Sequence, residues 1–309
     1  MRTETLEGQG TSPGIRHSSA EELSQMSDPI IVGTDASADA DRAVDWAADE
    51  AALRHRPLRI VHSLDAARRE LPLVSSSQAA RAVSAAGKGI LDEAGHRARE
   101  RHPGIDVTTE LIAESTAAVL HDRSEDAFEL VVGHRGLGGF TSMMLGSTGL
   151  RVAAHAACPV VIVRGDALTR HDEIVVGIDL IGDPAVALGY AFEAAAVRDA
   201  LVRVVHAWQM GAALVDLKQA IDVSEAEERT RSEVLQRVEP WRKEHPGIEV
   251  TEEVVREHPV TALTDASRNA DLVVVGALDH HWYKNPWLGS VSHGVIHHAH
   301  CPVAVARAK

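Results

Sequence analysis

The sequence predicts an α/β protein of two tandem doubly wound domains. Each is a five-stranded parallel sheet with helices on both faces, Rossmann-like, and the two are arranged as a pseudo-dimer. Three observations predict this. Sliding the chain on itself by 143 or 144 residues brings its two halves into line. Within each half, near-continuous β-branched runs alternate with Ala-rich helical stretches, as expected of strands covered on both faces. Aromatic residues make up only 3% of a chain that is 45% hydrophobic, so the core must be built from Val, Ile, Leu and Ala.

The repeat is ordered. "IIVGTDAS" pairs with "IVVGIDLI", "LRIVHSL" with "VRVVHAW", and "RHPGIDVTTEL" with "EHPGIEVTEEV". "LVVGHRG" pairs with "VVVGALD", and "LGSTGLRVAAHAACPVVIVR" with "LGSVSHGVIHHAHCPVAVAR". The period is too long for a solenoid and is the length of a whole domain. The expected organisation is a disordered tail over 1–27, a first domain over 28–165, a linker over 166–172 and a second domain over 173–309. The tail is polar, rich in Gly, Ser and Glu, and has no apolar signal segment. "MSDPIIVG" runs straight into the first strand, so Met26 is an alternative start.

In the first half the elements follow in order. Strand "IIVG" leads through a polar turn to helix "DADRAVDWAADEAALRHR". Strand "LRIVHS", a less regular segment and helix "AARAVSAAGKGILDEAGHRARERHP" come next. Strand "IDVTTELI", helix "TAAVLHDRSEDA" and strand "LVVGH" precede a glycine loop. Helix "STGLRVAAHAA" and strand "CPVVIVR" complete the domain. Pro159 and Pro302 stand at the openings of the last strands, where no ladder donor is lost. Those last-strand edges are expected to pair within the chain, which removes an edge prone to aggregation.

Composition narrows the function. The net charge of -14 argues against nucleic acid or an anionic membrane as partner, because phosphate contacts need clustered Lys and Arg. The apolar runs fall far short of a membrane span. Two cysteines, Cys158 and Cys301, form no CxxC pair and suit a reducing compartment.

In doubly wound sheets ligands bind beyond the carboxyl ends of the strands, where strand order reverses. Two segments fall there: "GTDAS" after the first strand and "GHRGLGGFTSMMLGS", residues 133–147, after the fourth. Gly133 and Gly136 would let backbone approach a phosphate, and Gly146-Ser147 would present free N–H groups at a helix start. Ser147 and Thr148 add hydroxyl donors, and His134 and Arg135 add a basic wall. The same loop also reads as a glycine-rich turn with a Ser cap. It is neither a Walker loop nor the dinucleotide fingerprint, which follows the first strand. Asp35 fits ribose hydroxyls, an adenine edge or water-bridged Mg²⁺, and equally an N-cap or turn residue.

Gly133-x2-Gly136-x9-Gly146-Ser147, with "VGTDAS" early and "HAACPVVIV" late, resembles the universal stress protein family, in particular its tandem, ATP-binding members. The resemblance covers 28–309. It implies a cytoplasmic stress- or dormancy-related regulator, not a conventional enzyme, with ATP as ligand, Mg²⁺ as its companion ion, and homodimers or other protein partners. Carried over, it places Thr34 and Asp35 by the adenosine, Val61 against the base, and Val132 and Gly133 at the end of the fourth strand. His134, Arg135 and Gly136 would face the phosphates, which Gly146, Ser147 and Thr148 would cap. Ala36 stands where the family often has Gly.

The second copy departs further. Its loop, "GALDHHWYKNPWLGS", keeps Gly276, Gly289 and Ser290, but Asp279 replaces the second glycine and Ala277-Leu278 the basic pair. A carboxylate beside phosphate oxygens disfavours binding by on the order of 1–4 kcal/mol. The second site is therefore expected to be degenerate for ATP. "SHGVIHHAHCP" sets His293, His297, His300 and Cys301 at helical spacing, but the first copy has Leu150, Ala154 and Ala157 at the corresponding histidine places, so no metal site is expected. Two other readings of the chain are a slow ATPase and a structural adaptor with little nucleotide dependence.

Overall fold

The computed structural model describes residues 28–65, 77–136, 146–165, 169–209, 223–277 and 288–308. The expected tail, most of the segment between the second strand and its helix, and the middles of both glycine loops lie outside the described residues.

The first half runs β1 (Ile30–Gly33), α1 (Ala38–Arg54), β2 (Leu58–Ser63), α2 (Ser77–Arg101), β3 (Val107–Ile112), α3 (Thr116–Arg123), β4 (Glu129–Gly133), α4 (Ser147–His155) and β5 (Val160–Val163). The second repeats it as β6 (Glu173–Gly177), α5 (Ala185–Ala196), β7 (Leu201–Ala207), α6 (Val223–Glu244), β8 (Val250–Val255), α7 (Pro259–Ala266), β9 (Leu272–Gly276), α8 (Ser290–His298) and β10 (Val303–Ala306). Short 3₁₀ turns at Ser124–Asp126 and Ser267–Asn269 finish what the sequence reads as the ends of α3 and α7.

All ten strands join one sheet in the order β3-β2-β1-β4-β5-β10-β9-β6-β7-β8. Strands within a half are parallel, and β5 and β10 pair antiparallel. Val161 pairs with Ala304, its own equivalent in the repeat, so the pseudo-two-fold axis passes through that pair. The five-stranded parallel sheets and the pairing of last strands expected from sequence are both present. β5 and β10 begin one residue after their prolines, whose carbonyls already accept from Leu130 and Val273 at 3.0 Å.

The inner strands are Val- and Ile-rich and buried on both faces, as helices on either side require, whereas the edge strands β3 and β8 are partly exposed. One apolar layer, under α1, α2, α5 and α6, contains Ala47, Leu91, Leu188, Phe192 and Val234. The other, under α3, α4, α7 and α8, contains Leu120, Val152, Leu263 and Ile296. Each layer runs unbroken through both halves. Cys158 and Cys301 are buried thiols not joined in a disulfide, and burial pushes the Cys301 thiol up to about 12.

Between α1 and α5 the seam is polar, which the sequence does not announce. Glu50 is ion-paired with both Arg54 and Arg198, one from each half. The Tyr190 hydroxyl donates to Glu129 Oε2 at 2.7 Å. Glu129 is fully buried, and burial with the nearby Glu50 charge pushes its carboxyl up to about 8. The sheet register makes Leu272 its counterpart, since Ile30 pairs with Glu129 and Ile174 with Leu272.

Candidate functional site

β1 and β4 are neighbours, and the chain leaves them in opposite directions, so the crevice of the first half opens at their carboxyl ends. The β1 turn forms one wall. Thr34 is buried, donates its N–H to Val61 O at 2.9 Å and accepts the Ala36 N–H on Oγ1 at 3.3 Å. His62 Nδ1 lies 2.8 Å from Thr34 O. Asp35 Oδ1 accepts the Ser37 N–H at 3.0 Å, a local turn bond that fixes the carboxylate. Ala36 has φ 64°, in the left-handed region, which explains why glycine suits that position in the family. Ser37 caps α1 by accepting from Ala40 N at 3.2 Å, with Asp39 and Asp41 in the first turn.

The glycine loop forms the other wall. A Cβ on Gly133 would stand 2.7 Å from Asp39 O and 3.1 Å from Ala40 N. That glycine is required by the approach of α1, not by a ligand. His134 donates its N–H to Val163 O at 3.1 Å and accepts the Gly146 N–H at 2.8 Å, which ties the two ends of the loop together. Its ring turns toward α1, with Nδ1 3.1 Å from Asp39 Oδ2 but off the axis of a hydrogen bond. Burial, with Arg164, Arg135 and Arg42 against the opposing pull of Asp39, holds the imidazole below its ordinary range. His134 is therefore a weaker base than an ordinary histidine and a weaker basic wall than expected. Arg135 is exposed. A Cβ on Gly136 would stand 2.3 Å from Asp35 Oδ2, so the two walls meet there.

Gly146 is different. Its φ is -71°, and among the described residues a Cβ there would find nothing nearer than His134 O at 3.6 Å. The protein's own packing does not demand a glycine. As N-cap of α4 it offers no side chain, so the N–H groups of the first turn, from Ser147 and the half-buried Thr148 onward, have no side-chain cap. An anion placed there would meet open N–H groups at the positive end of a helix.

One expected contact is corrected. Val61 is 0% exposed and packs in the layer under α3 and α4. It pairs with Gly33, two residues short of the end of β2, so its side chain sits below the rim and cannot rest on a base. Val132, 4% exposed, points into the same layer and offers only backbone to the crevice. Beside the crevice lies a cleft of about 320 Å³, lined by Thr34, Ala36, Asp41, Ala86, Gly89, Ile90, Glu93 and Ala94. The α2 residues in it do not stand out in the sequence, because that helix is Ala-rich on every side.

The second half repeats the frame. Asp179 Oδ1 accepts the Ile181 N–H at 3.0 Å, and His206 Nδ1 lies 3.0 Å from Ile178 O. The Gly289 N–H reaches Ala277 O at 3.4 Å. Ser292, in the place of Gly149, donates Oγ to Gly276 O at 2.6 Å, a bond the glycine cannot make. Asp279, Pro286 and Trp287 lie outside the described residues. Among the described residues, no group of three His, Cys, Asp or Glu side chains could hold a metal ion, and no helix is long and apolar enough to cross a membrane.

The sequence model described as "Universal stress protein family" matches residues 26–164 and again 171–307. A universal stress protein of Mycolicibacterium smegmatis is 34% identical over 302 residues, covering 90% of this chain and 96% of its own length. One from Mycobacterium tuberculosis is 33% identical over 290 residues, with the same coverage of 90% and 96%. The crystal structure of a universal stress protein from Archaeoglobus fulgidus superposes with TM-score 0.66 at 20% identity, covering 92% of this chain and all of its own, a likeness of fold.

Proposed function

The chain belongs to the universal stress protein family, and from that premise we propose that its first half, residues 28–165, binds ATP and serves as a cytoplasmic, stress- or dormancy-related nucleotide-responsive regulator. One observation carries the reading: the start of α4 at Gly146 has no side-chain cap and lies beside Gly136, whose own Cβ would stand 2.3 Å from Asp35 Oδ2. Phosphates would take the N–H groups of Ser147 and Thr148 and their hydroxyls, with Arg135 as the outer cation. Thr34 and Asp35 would meet the ribose, and Asp35 would hold Mg²⁺ through water.

The second half, residues 173–309, is proposed to be degenerate for the nucleotide. Ser292 occupies the Gly149 position, and Ala277 and Leu278 stand in place of the basic pair. The reading is a sensor and not an enzyme; among the described residues of the first site, no side chain is arranged as a base aimed at a γ-phosphate. Calorimetry of the full chain with ATP and Mg²⁺ tests the whole reading. One equivalent bound per chain is expected. Two equal sites would remove the asymmetry, and none at millimolar ATP would remove the nucleotide.

A further inference from the structure

Two arginines cross the seam in mirror fashion. Arg164 follows β5, and its Nη1 donates to Ile296 O, in the last turn of α8. Arg307 follows β10, and its Nη2 donates to Ala153 O at 2.5 Å and Ala154 O at 2.8 Å, in the last turn of α4. They are equivalent positions of the repeat, 143 residues apart. Each half therefore ends the last helix of the other.

The last carbonyls of an α-helix have no partner within it, and a cation there also complements the helix dipole. α4 has nine residues and spans about 13 Å. It is short enough to move as one rod. Its far end is the one that carries Gly146, Ser147 and Thr148. The N-terminal end has no side-chain cap; at the C-terminal end Ser124 Oγ accepts the Ala157 N–H at 2.8 Å, and among the described residues Arg307, from the other half, is the side chain that donates to Ala153 O and Ala154 O.

We infer that Arg307, supplied by the second half, is a positioning residue for the phosphate end of the nucleotide site in the first half. The inference rests on the nucleotide reading above. It gives the second half a task that does not require it to bind ATP. The held helix meets phosphates, whereas Thr34 and Asp35 on the β1 turn meet the nucleoside. Loss of Arg307 should therefore be felt by ATP and not by adenosine.

The test uses the full chain, with Arg307→Met and Arg307→Lys. Affinities for ATP and for adenosine are measured together with amide hydrogen exchange over residues 147–155 in the free protein. Arg307→Met is expected to weaken ATP about three- to tenfold, to leave adenosine within about twofold and to speed exchange in α4. Arg307→Lys, which keeps the charge, should recover most of the ATP affinity; it also carries the test if the Met variant does not fold. Equal losses for ATP and adenosine, or no change for either, would overturn the inference. If the wild-type chain binds neither ligand, the nucleotide reading fails by itself. The clamp is then judged by exchange in α4, where faster exchange in Arg307→Met upholds it and unchanged exchange refutes it.

Discussion

At the carboxyl end of β1 the chain turns through Ala36, is capped by Ser37 and packs Gly133 against the first turn of α1. At the carboxyl end of β6 the turn is longer, α5 starts from Pro184 with Asp183 Oδ1 accepting the Ala185 N–H at 2.9 Å, and among the described residues a Cβ on Gly276 would meet nothing within 4 Å. Yet the bonds between backbone and turn are kept, from the Asp35 and Asp179 turns to the His62 and His206 contacts. The pattern separates two kinds of constraint. Bonds that hold the sheet edge together are common to both halves. Side chains and gaps that would face a ligand differ.

The seam offers the largest way to test how far the halves have diverged. Glu129, with Leu272 as counterpart, has its carboxyl raised in the folded protein from an ordinary 4.5 to about 8. Between those values the folded chain holds a proton that the unfolded chain has released. Stability is therefore lost as pH rises from about 5 to about 8, by up to a few kcal/mol. Glu129→Gln should flatten that dependence when urea midpoints at pH 5 and pH 8 are compared. An unchanged pH profile would mean that Glu129 is ionised in the folded state.

The two glycines give a smaller, paired effect. Gly133→Ala drives a methyl group into the Asp39 carbonyl and should cost about 2–3 kcal/mol, whereas Gly276→Ala should stay within about 1 kcal/mol. Thermal unfolding of both variants measures the contrast, and equal losses would show that α1 and α5 approach their strands alike. The smallest effect belongs to Ala36→Gly. Relief of the left-handed alanine, worth about 1 kcal/mol, is partly offset by the greater freedom of glycine in the unfolded chain. A rise in melting temperature of a degree or two is expected, and a fall would mean that the turn is not strained.

The fold is legible because a repeat, read twice, fixes element order, and because buried parallel strands are written as unbroken apolar runs. The site is legible where glycine spacing carries it, at Gly136 and Gly146. It is not legible at Val61. "LRIVHS" gives no clean alternation, and a shift of one residue moves a side chain from one face to the other. Gly133 reads as part of a phosphate cradle, since sequence cannot tell a gap left for a ligand from one left for a helix. His134 reads as basic, because the carboxylate and arginines around it come from three separate segments. Glu129 at the head of a strand reads as a boundary residue, and its partner Tyr190 is 61 residues away.

The antiparallel pairing of β5 with β10 has a genetic consequence. In a dimer of identical chains every substitution appears twice, so a surface can complement only itself. Joining the two halves in one chain lifts that rule. One Glu50 can then serve Arg54 and Arg198 together, and one Tyr190 can meet one Glu129, with Leu272 left apolar at the mirror position. The fused chain behaves as a heterodimer whose partners are inherited together, free to specialise without ever having to find each other.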